Sequence, residues 1–509
     1  MKAGRIFHTK MISDHAPRAS SPSDGAKINL PYLGTISLVA ALGGLLFGYD
    51  WVVIGGAAKF YEAFFQLKDT ATSVAANAPF LEKILANAIS PVGWAQSCAL
   101  VGCLVGALVS GTLSDRYGRK PVLIAAAANF VLSSVGIAYA GSFGAFVAWR
   151  ILGGVSIGLA SNVSPMFISE IAPSRHRGLL VAVNQLTIVL GVLAAQFVNW
   201  RIAQPVPPGL DAAGFLATWN VQSGWRWMFA ACAVPSLLFF VSALFVPESP
   251  RWLAKAGRHA EASAVLTRIG GAAYAGAALA EIAALVVKED AHVRFSELKD
   301  RRMLVVLGLG IALAVFQQWC GINVIFNYAG EIFSQAGYNL NDTLTNIVMT
   351  GVVNLVFTFV ALFTVDRLGR RPLMLFGAAA LAVIYVGIGW AYYYKAGGGQ
   401  VPNALFLGLV LAAIGSYAMS LAPVTWVIIS EIFPNRIRGT AMSIAVGFLW
   451  IACFLLTYTF PIFNAVLGAA GTFWIYAGIC VAGLLFIALR LPETKGKSLE
   501  QIERELLKS

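Results

Sequence analysis

Charge is scarce in this chain: 12% of its 509 residues are Asp, Glu, Lys or Arg, against 58% hydrophobic. A soluble domain carries about twice that charged share. A chain this apolar cannot hide its surface in a core of its own, so lipid must be its solvent. Metal-ligating residues are also few. The six cysteines (Cys98, Cys103, Cys232, Cys320, Cys453, Cys480) all fall inside apolar runs. None has metal-ligand spacing, and they read as small packing residues rather than disulfides. There is no phosphate loop, no metal constellation and no nucleophile–base pair, so an enzyme has little support. The first thirty residues lack the apolar core of a signal peptide. They are polar and rich in Ser, Pro and basic residues, and read as an attached disordered tail.

Long apolar runs are what the chain has instead. Leu30 to Ala58 contains one ionisable acid, Asp50, and Val122 to Trp149 contains none. Crossing the hydrocarbon takes about 20 helical residues. The pattern predicts an all-α integral membrane fold of twelve spans: about 31–57, 92–113, 121–141, 143–168, 179–202 and 225–246, then 303–332, 343–365, 372–394, 403–430, 438–461 and 471–490. The expected organisation is a tail (1–30), a six-helix half (31–246), a polar helical linker (247–301), a second six-helix half (302–491) and a C-terminal tail (492–509). In the linker, Ala260 to Ile269 and Ala278 to Val287 read as short helices.

The net charge of +12 could suggest nucleic acid, but its placement argues otherwise. Basic residues cluster in every second loop: Arg116, Arg119 and Lys120; Arg175 and Arg177; Arg367, Arg370 and Arg371; Arg436 and Arg438. That is the positive-inside pattern, and it puts both termini in the cytoplasm.

The two halves repeat each other. Asp115-Arg116-Tyr117-Gly118-Arg119-Lys120 recurs as Asp366-Arg367-Leu368-Gly369-Arg370-Arg371. Ser169-Glu170-Ile171-Ala172-Pro173 recurs as Ser430-Glu431-Ile432-Phe433-Pro434, and Pro247-Glu248-Ser249 as Pro492-Glu493-Thr494. Three motifs in one order at nearly one spacing mark an internal duplication. Repeated halves place a substrate site between them near the bilayer midplane, and rocking of one half on the other gives alternating access.

On these motifs the chain resembles the sugar porter branch of the major facilitator superfamily, over about residues 31–500. Pro247-Glu248-Ser249-Pro250-Arg251-Trp252-Leu253, Pro492-Glu493-Thr494-Lys495-Gly496 and Gln317-Gln318-Trp319-Cys320-Gly321-Ile322-Asn323 are the more specific signatures. Within that branch it resembles the bacterial D-xylose:proton symporters. The resemblance implies a multi-pass protein of a bacterial inner membrane, expected as a monomer, that carries a small neutral sugar with protons and uses no cofactor.

Apolar helices hold a sugar only by supplying neutral groups that donate and accept. The seventh span offers Gln317, Gln318 and Asn323 around Gly321, a residue that permits a helix break. Gln185 on the fifth span and Asn354 on the eighth complete the amides that the resemblance assigns to sugar contacts. It also implies sugar packing for Trp426 and Trp450. The competing reading of the amides is helix-to-helix bonding. For tryptophans it is interface anchoring, which suits Trp225, Trp227 and Trp319 but not the mid-span Trp450. The chain departs from the xylose-porter pattern at Asn327, Leu421, Val192 and Leu449, so the sugar's identity stays open.

Asp50 and Arg150 are ionisable residues deep in spans, a functional hypothesis by default. Asp50 lies eight residues before a span exit near Ala58 and Arg150 seven after a start near Phe143, about 12 and about 10 Å of helical rise. They therefore share a depth and can pair as a proton switch; the alternative is a permanent ion pair. The resemblance agrees, because proton-coupled members carry an acid at this position and uniporters commonly an asparagine. At the cytoplasmic helix ends, Asp115, Arg116, Arg119, Glu170, Arg177, Asp366, Arg367, Arg370, Glu431 and Arg438 are expected to form a gate of ion pairs, with Glu248 and Arg251 tying the linker to the first half; the bland reading is that they set topology only. Three functions remain in view: proton-coupled sugar import, facilitated sugar diffusion, and a non-transporting sugar sensor, against which only about a dozen residues follow Gly496.

Overall fold

Span starts follow local chemistry. The Asn29, Ser90 and Asn339 side chains accept hydrogen bonds from the backbone N–H groups of Tyr32, Gly93 and Asp342. Pro31 and Pro91 fill first-turn positions where a missing N–H costs nothing. The computed structural model describes residues 27–67, 82, 88–207, 209–289, 301–433 and 438–495, and it is all-helical there apart from the connections. The tails expected at 1–30 and 492–509 fall largely outside those residues.

The first half comprises Leu30–Phe64, Pro91–Tyr117, Arg119–Ala138, Phe143–Ile171, Ser174–Ile202 and a broken sixth span, Ala212–Phe245. The second half opens with Arg301–Trp319, continued by Ile322–Asn327 and Ala329–Gln335. Leu340–Leu368 and Arg370–Ala396 follow, then a tenth span in two pieces, Asn403–Met419 and Leu421–Ile432. The final helix, Arg438–Arg490, is 53 residues long and leaves helical geometry at Gly468 (φ 69°). A straight helix of that length would reach about 80 Å, far beyond one crossing. It therefore supplies the eleventh and twelfth spans. The first span runs past its expected end at 57 to Phe64, because Lys59 and Glu62 sit in its last turns rather than beyond them. The linker helices are Pro250–Lys255 and His259–Glu289, the latter turning at Gly271.

Within the first half, the second and fourth spans meet through small residues. A side chain on Gly102 or Gly106 would overlap the Ile151 or Val155 carbonyl, and one on Gly154 or Gly158 the Ala99 or Cys103 carbonyl. These GxxxG spacings are internal seams, which let two backbones approach closely. The linker packs on the same half: Asn29 N–H donates to the Ile269 carbonyl (2.8 Å), and the Arg268 guanidinium lies 4.9 Å from the Tyr32 ring centroid.

The halves touch at the end remote from the Asp-Arg-x-Gly-Arg loops, called here the far end. Gln196 Nε2 donates to Thr350 Oγ1 (3.1 Å) and Trp200 Nε1 to Thr345 Oγ1 (3.2 Å), joining the fifth span to the eighth. The Tyr458 hydroxyl donates to the Ala88 carbonyl (2.8 Å), joining the eleventh span to the start of the second. At Gly55 the first span presses on the backbone of Phe326 and Asn327 in the seventh.

Candidate functional site

The first span carries Asp50 into the middle of the first half and the fourth brings Arg150 to it. Arg150 Nη1 lies 3.1 Å from Asp50 Oδ1 and also donates to the Asp50 carbonyl (3.3 Å). The two residues are 3% and 2% exposed. The guanidinium sits 5.5 Å from the Phe229 ring centroid, so its surroundings are apolar. Asp50 Oδ2 and Arg150 Nε are buried without a hydrogen-bond partner among the described residues. The pair is incompletely satisfied, and its neighbours do little to hold either charge if the other is removed.

The seventh span breaks where its glycine allows. Gly321 takes φ 88°, the left-handed region, and separates Arg301–Trp319 from Ile322–Asn327. The break turns three amides toward one another: Gln318 Nε2 donates to Gln317 Oε1 (2.7 Å), and Asn323 Nδ2 donates to Gln318 Oε1 and reaches Cys453 Sγ on the eleventh span. All three are buried. Asn354 is buried on the eighth span and Gln185 half-buried on the fifth. Asn327, one turn beyond Asn323, is buried with its Oδ1 unpartnered among the described residues.

Trp450 packs into an aromatic triangle with Phe47 (6.1 Å) and Trp51 (6.0 Å) of the other half, its indole N–H buried and unpartnered among the described residues. Trp426 stands apart from this set. It is 39% exposed, on the face of its helix opposite Val424, Thr425, Ile428 and Ile429. The anchoring reading fails for Trp225, which is fully buried among Phe64, Phe65, Phe146 and Phe229 and gives its N–H to the Val221 carbonyl (2.9 Å). Sequence could not separate it from Trp227, two residues on and 60% exposed. The six cysteines are buried and free, as packing residues should be.

At the basic end the two halves build the same device. Gly118 (φ 100°) and Gly369 (φ 92°) turn the chain between spans, and a side chain on Gly118 would run into the Glu248 carboxylate. The backbone N–H of Arg119 donates to Glu248 (3.0 Å), and that of Arg370 to Glu493 (3.1 Å). The guanidinium of Arg119 then pairs with Glu170 (2.9 Å) and Asp115 (3.2 Å), and that of Arg370 with Glu431 (3.3 Å). Ser249 Oγ donates to the second Glu170 oxygen (2.5 Å). These ion pairs staple helices within one half. Burial raises the Glu248 carboxyl above its ordinary range, against the pull of the Ser249, Lys120 and Arg119 N–H groups. At Glu493 burial also raises, but the Lys495, Arg370, Arg371 and Thr494 N–H groups together outweigh it and hold the carboxyl below that range. Arg116, Arg177 and Arg367 are exposed and Arg251 is half-buried. The side chains of Asp366 and Arg438 lie outside the described residues.

Comparison with known proteins agrees with this architecture. The family model described as "Sugar (and other) transporter" matches residues 36–506. The chain belongs to the sugar transporter family. It is 38% identical to the D-xylose-proton symporter of Escherichia coli K12, over 93% of this chain and 96% of that one. It is 38% identical to the arabinose-proton symporter of Bacillus subtilis (93% and 95%) and 33% to the glucose facilitated diffusion protein of Zymomonas mobilis (92% and 96%). The inward open structure of the Escherichia coli xylose transporter superposes with a TM-score of 0.77 at 36% identity, covering 93% of this chain and 99% of that one. The chain is thus a multi-pass transporter, not an enzyme.

Sequence reasoning missed Glu493 as a partner of the basic loop, although the repeat of Pro247-Glu248 as Pro492-Glu493 pointed to it. It also missed Gln196 and Thr350, because a single amide or hydroxyl in an apolar span gives no signal until its partner across the interface is known.

Proposed function

We propose that this chain is a proton-coupled symporter of a neutral monosaccharide, a pentose or hexose such as xylose or glucose. It works as a monomer by alternating access in a bacterial inner membrane, with both termini in the cytoplasm and the proton as its only coupling ion. Gln185, Gln317, Gln318, Asn323, Asn354 and Trp450 hold the sugar, with Trp426 joining them when the bundle rearranges. The far end is then the periplasmic face, and the conformation described here is closed to the periplasm.

The buried Asp50–Arg150 pair carries the proton-coupled reading. Protonating Asp50 leaves Arg150 as an uncompensated buried charge, and breaking such a pair from one side costs about 3–5 kcal/mol. Swinging a two-state equilibrium from 1:99 to 99:1 takes about 5.5 kcal/mol. One proton on Asp50 therefore supplies most of the bias needed to change the favoured conformation, provided that the other conformation rehydrates Arg150. The test is Asp50→Asn in proteoliposomes. Sugar exchange at equal concentrations should continue, while uphill accumulation driven by a pH gradient should vanish. Accumulation that persists in the variant would refute the coupling role. Facilitated diffusion, the activity named for the Zymomonas relative, is the second reading; sugar addition without alkalinisation of the medium would establish it.

A further inference from the structure

The eighth span repeats neutral hydrogen-bonding residues one turn apart: Asn346, Thr350, Asn354 and Thr358, all buried. Asn354 belongs to the central sugar site proposed above. Thr350 and Asn346 lie one and two turns nearer the far end, at the seam between the halves. Gln196 of the fifth span meets Thr350 there, 2% exposed, with its Nε2 on Thr350 Oγ1. The seam is imperfectly matched. Gln196 Oε1 and Asn346 Nδ2 are both buried with no partner among the described residues. A stranded buried polar atom costs about 1–3 kcal/mol, and lipid offers no water to relieve it. The seam is nonetheless tightly closed, since a side chain on Gly351 would overlap Gln196 Oε1.

A lock selected only to hold the halves together would match these atoms or replace them with apolar ones. Stranded atoms make sense if another molecule satisfies them when the seam opens. We propose that Gln196, Thr350 and Asn346 form a peripheral sugar subsite, exposed when the halves part at the far end, that receives a neutral monosaccharide before it passes one turn inward to Asn354. The amide of Gln196 donates and accepts, the Thr350 hydroxyl does both, and the Asn346 nitrogen donates. That set matches adjacent sugar hydroxyls and offers no charge to an ion. The subsite rests on the alternating-access reading above.

The experiment uses oriented proteoliposomes and radiolabelled D-xylose, L-arabinose or D-glucose, whichever the wild type carries. Asn346→Leu and Gln196→Leu should each raise the KM for influx from the far end about tenfold, while the KM for efflux stays within twofold. Detailed balance then requires Vmax/KM to fall equally in both directions, so the efflux Vmax drops. The sign separates a subsite from a lock. If Gln196 only holds the seam shut, its loss populates the open form and lowers the influx KM. An unchanged or lowered influx KM in both variants overturns the subsite and leaves the transport reading intact. A wild type that carries none of the three sugars, or any other neutral sugar, overturns both. Asn346→Ser, which adds no bulk to the seam and keeps a donor, should give a smaller rise in influx KM and decides the matter if a leucine variant fails to fold.

Discussion

At Gly55 the backbones of the two halves meet closely, and one methyl group there should open the far end. A Cβ at Gly55 would lie 2.5 Å from the Phe326 carbonyl oxygen and 3.0 Å from that of Asn327. Both obstacles are backbone, so neither can swing aside as a side-chain tip would. Only separation of the first and seventh spans makes room, and that separation is the opening motion. Overpacking of this kind costs about 1–3 kcal/mol, a factor of about 5–150 against the closed form. The better helix propensity of alanine acts equally in both conformations and cancels. A thiol reporter can read the shift. Ser97 is fully buried and its hydroxyl has no partner among the described residues. It lies one turn from Gly93, where a Cβ would meet the Tyr458 carbonyl at 2.7 Å. Ser97→Cys should therefore be shielded in the closed form, like the six buried native cysteines. Adding Gly55→Ala should speed its modification by an impermeant maleimide from the far side about 5–150-fold. Gly34→Ala on the same helix, where an added Cβ meets nothing within 4 Å, is the control. Equal labelling rates in the Gly55 and Gly34 variants would refute the argument.

Two further predictions concern the break in the seventh span and the staples at the basic end. Gly321→Ala forces a side chain into left-handed geometry, at about 1–2 kcal/mol, and aims its Cβ at the Tyr476 ring, 2.8 Å away; the variant should melt at lower temperature in detergent and lose the stabilisation that sugar confers. Glu493 and Glu248 should respond oppositely to pH. Glu493, held below the ordinary carboxyl range of about 4.3, stabilises the fold above that range and stops doing so as pH falls, so Glu493→Gln should flatten the acid limb of a melting-temperature profile. Glu248, held above that range, costs stability as pH rises through its folded value, so Glu248→Gln should remove a decline on that limb; parallel profiles for the two variants would contradict the assignment.

The sequence made the spans, the duplication and the Asp50–Arg150 contact legible, each for a physical reason. Lipid leaves a long apolar run few alternatives to helix, so span existence follows from composition. A buried charge needs a partner, and only one pair of ionisable residues stood at matching depth. The break at Gly321 was readable because glycine sat among amides that have no reason to lie along a lipid-facing helix. Trp225 was not readable. Its burial depends on where Phe64 and Phe146 arrive from other spans, and nothing local distinguishes it from Trp227. The basic loops illustrate a subtler limit. Their residues were identifiable as ion-pair formers, but not which helices they would join, because a repeated motif predicts the same contacts within each half as readily as contacts across the two.

That last point bears on how the molecule can move. Inside each half the structure places charged and charge-assisted contacts: Arg119 with Glu170 and Asp115, Arg370 with Glu431, and the Glu248 and Glu493 carboxylates on backbone N–H groups. Hydrogen bonds to charged groups contribute about 1.5–3 kcal/mol each, against about 0.5–1.5 for neutral ones. Across the halves at the far end, the contacts named above are neutral: Gln196 with Thr350, Trp200 with Thr345, Tyr458 with the Ala88 carbonyl. Stronger bonds thus hold each half together and weaker ones hold the halves to each other. A force that parts the far end meets the neutral seam long before it can distort either half, so the motion is that of two bodies rocking. The same division explains why the charged staples at the basic end can be half-buried and strong without arresting the cycle: each joins helices of one half, so none of them has to break when the seam opens.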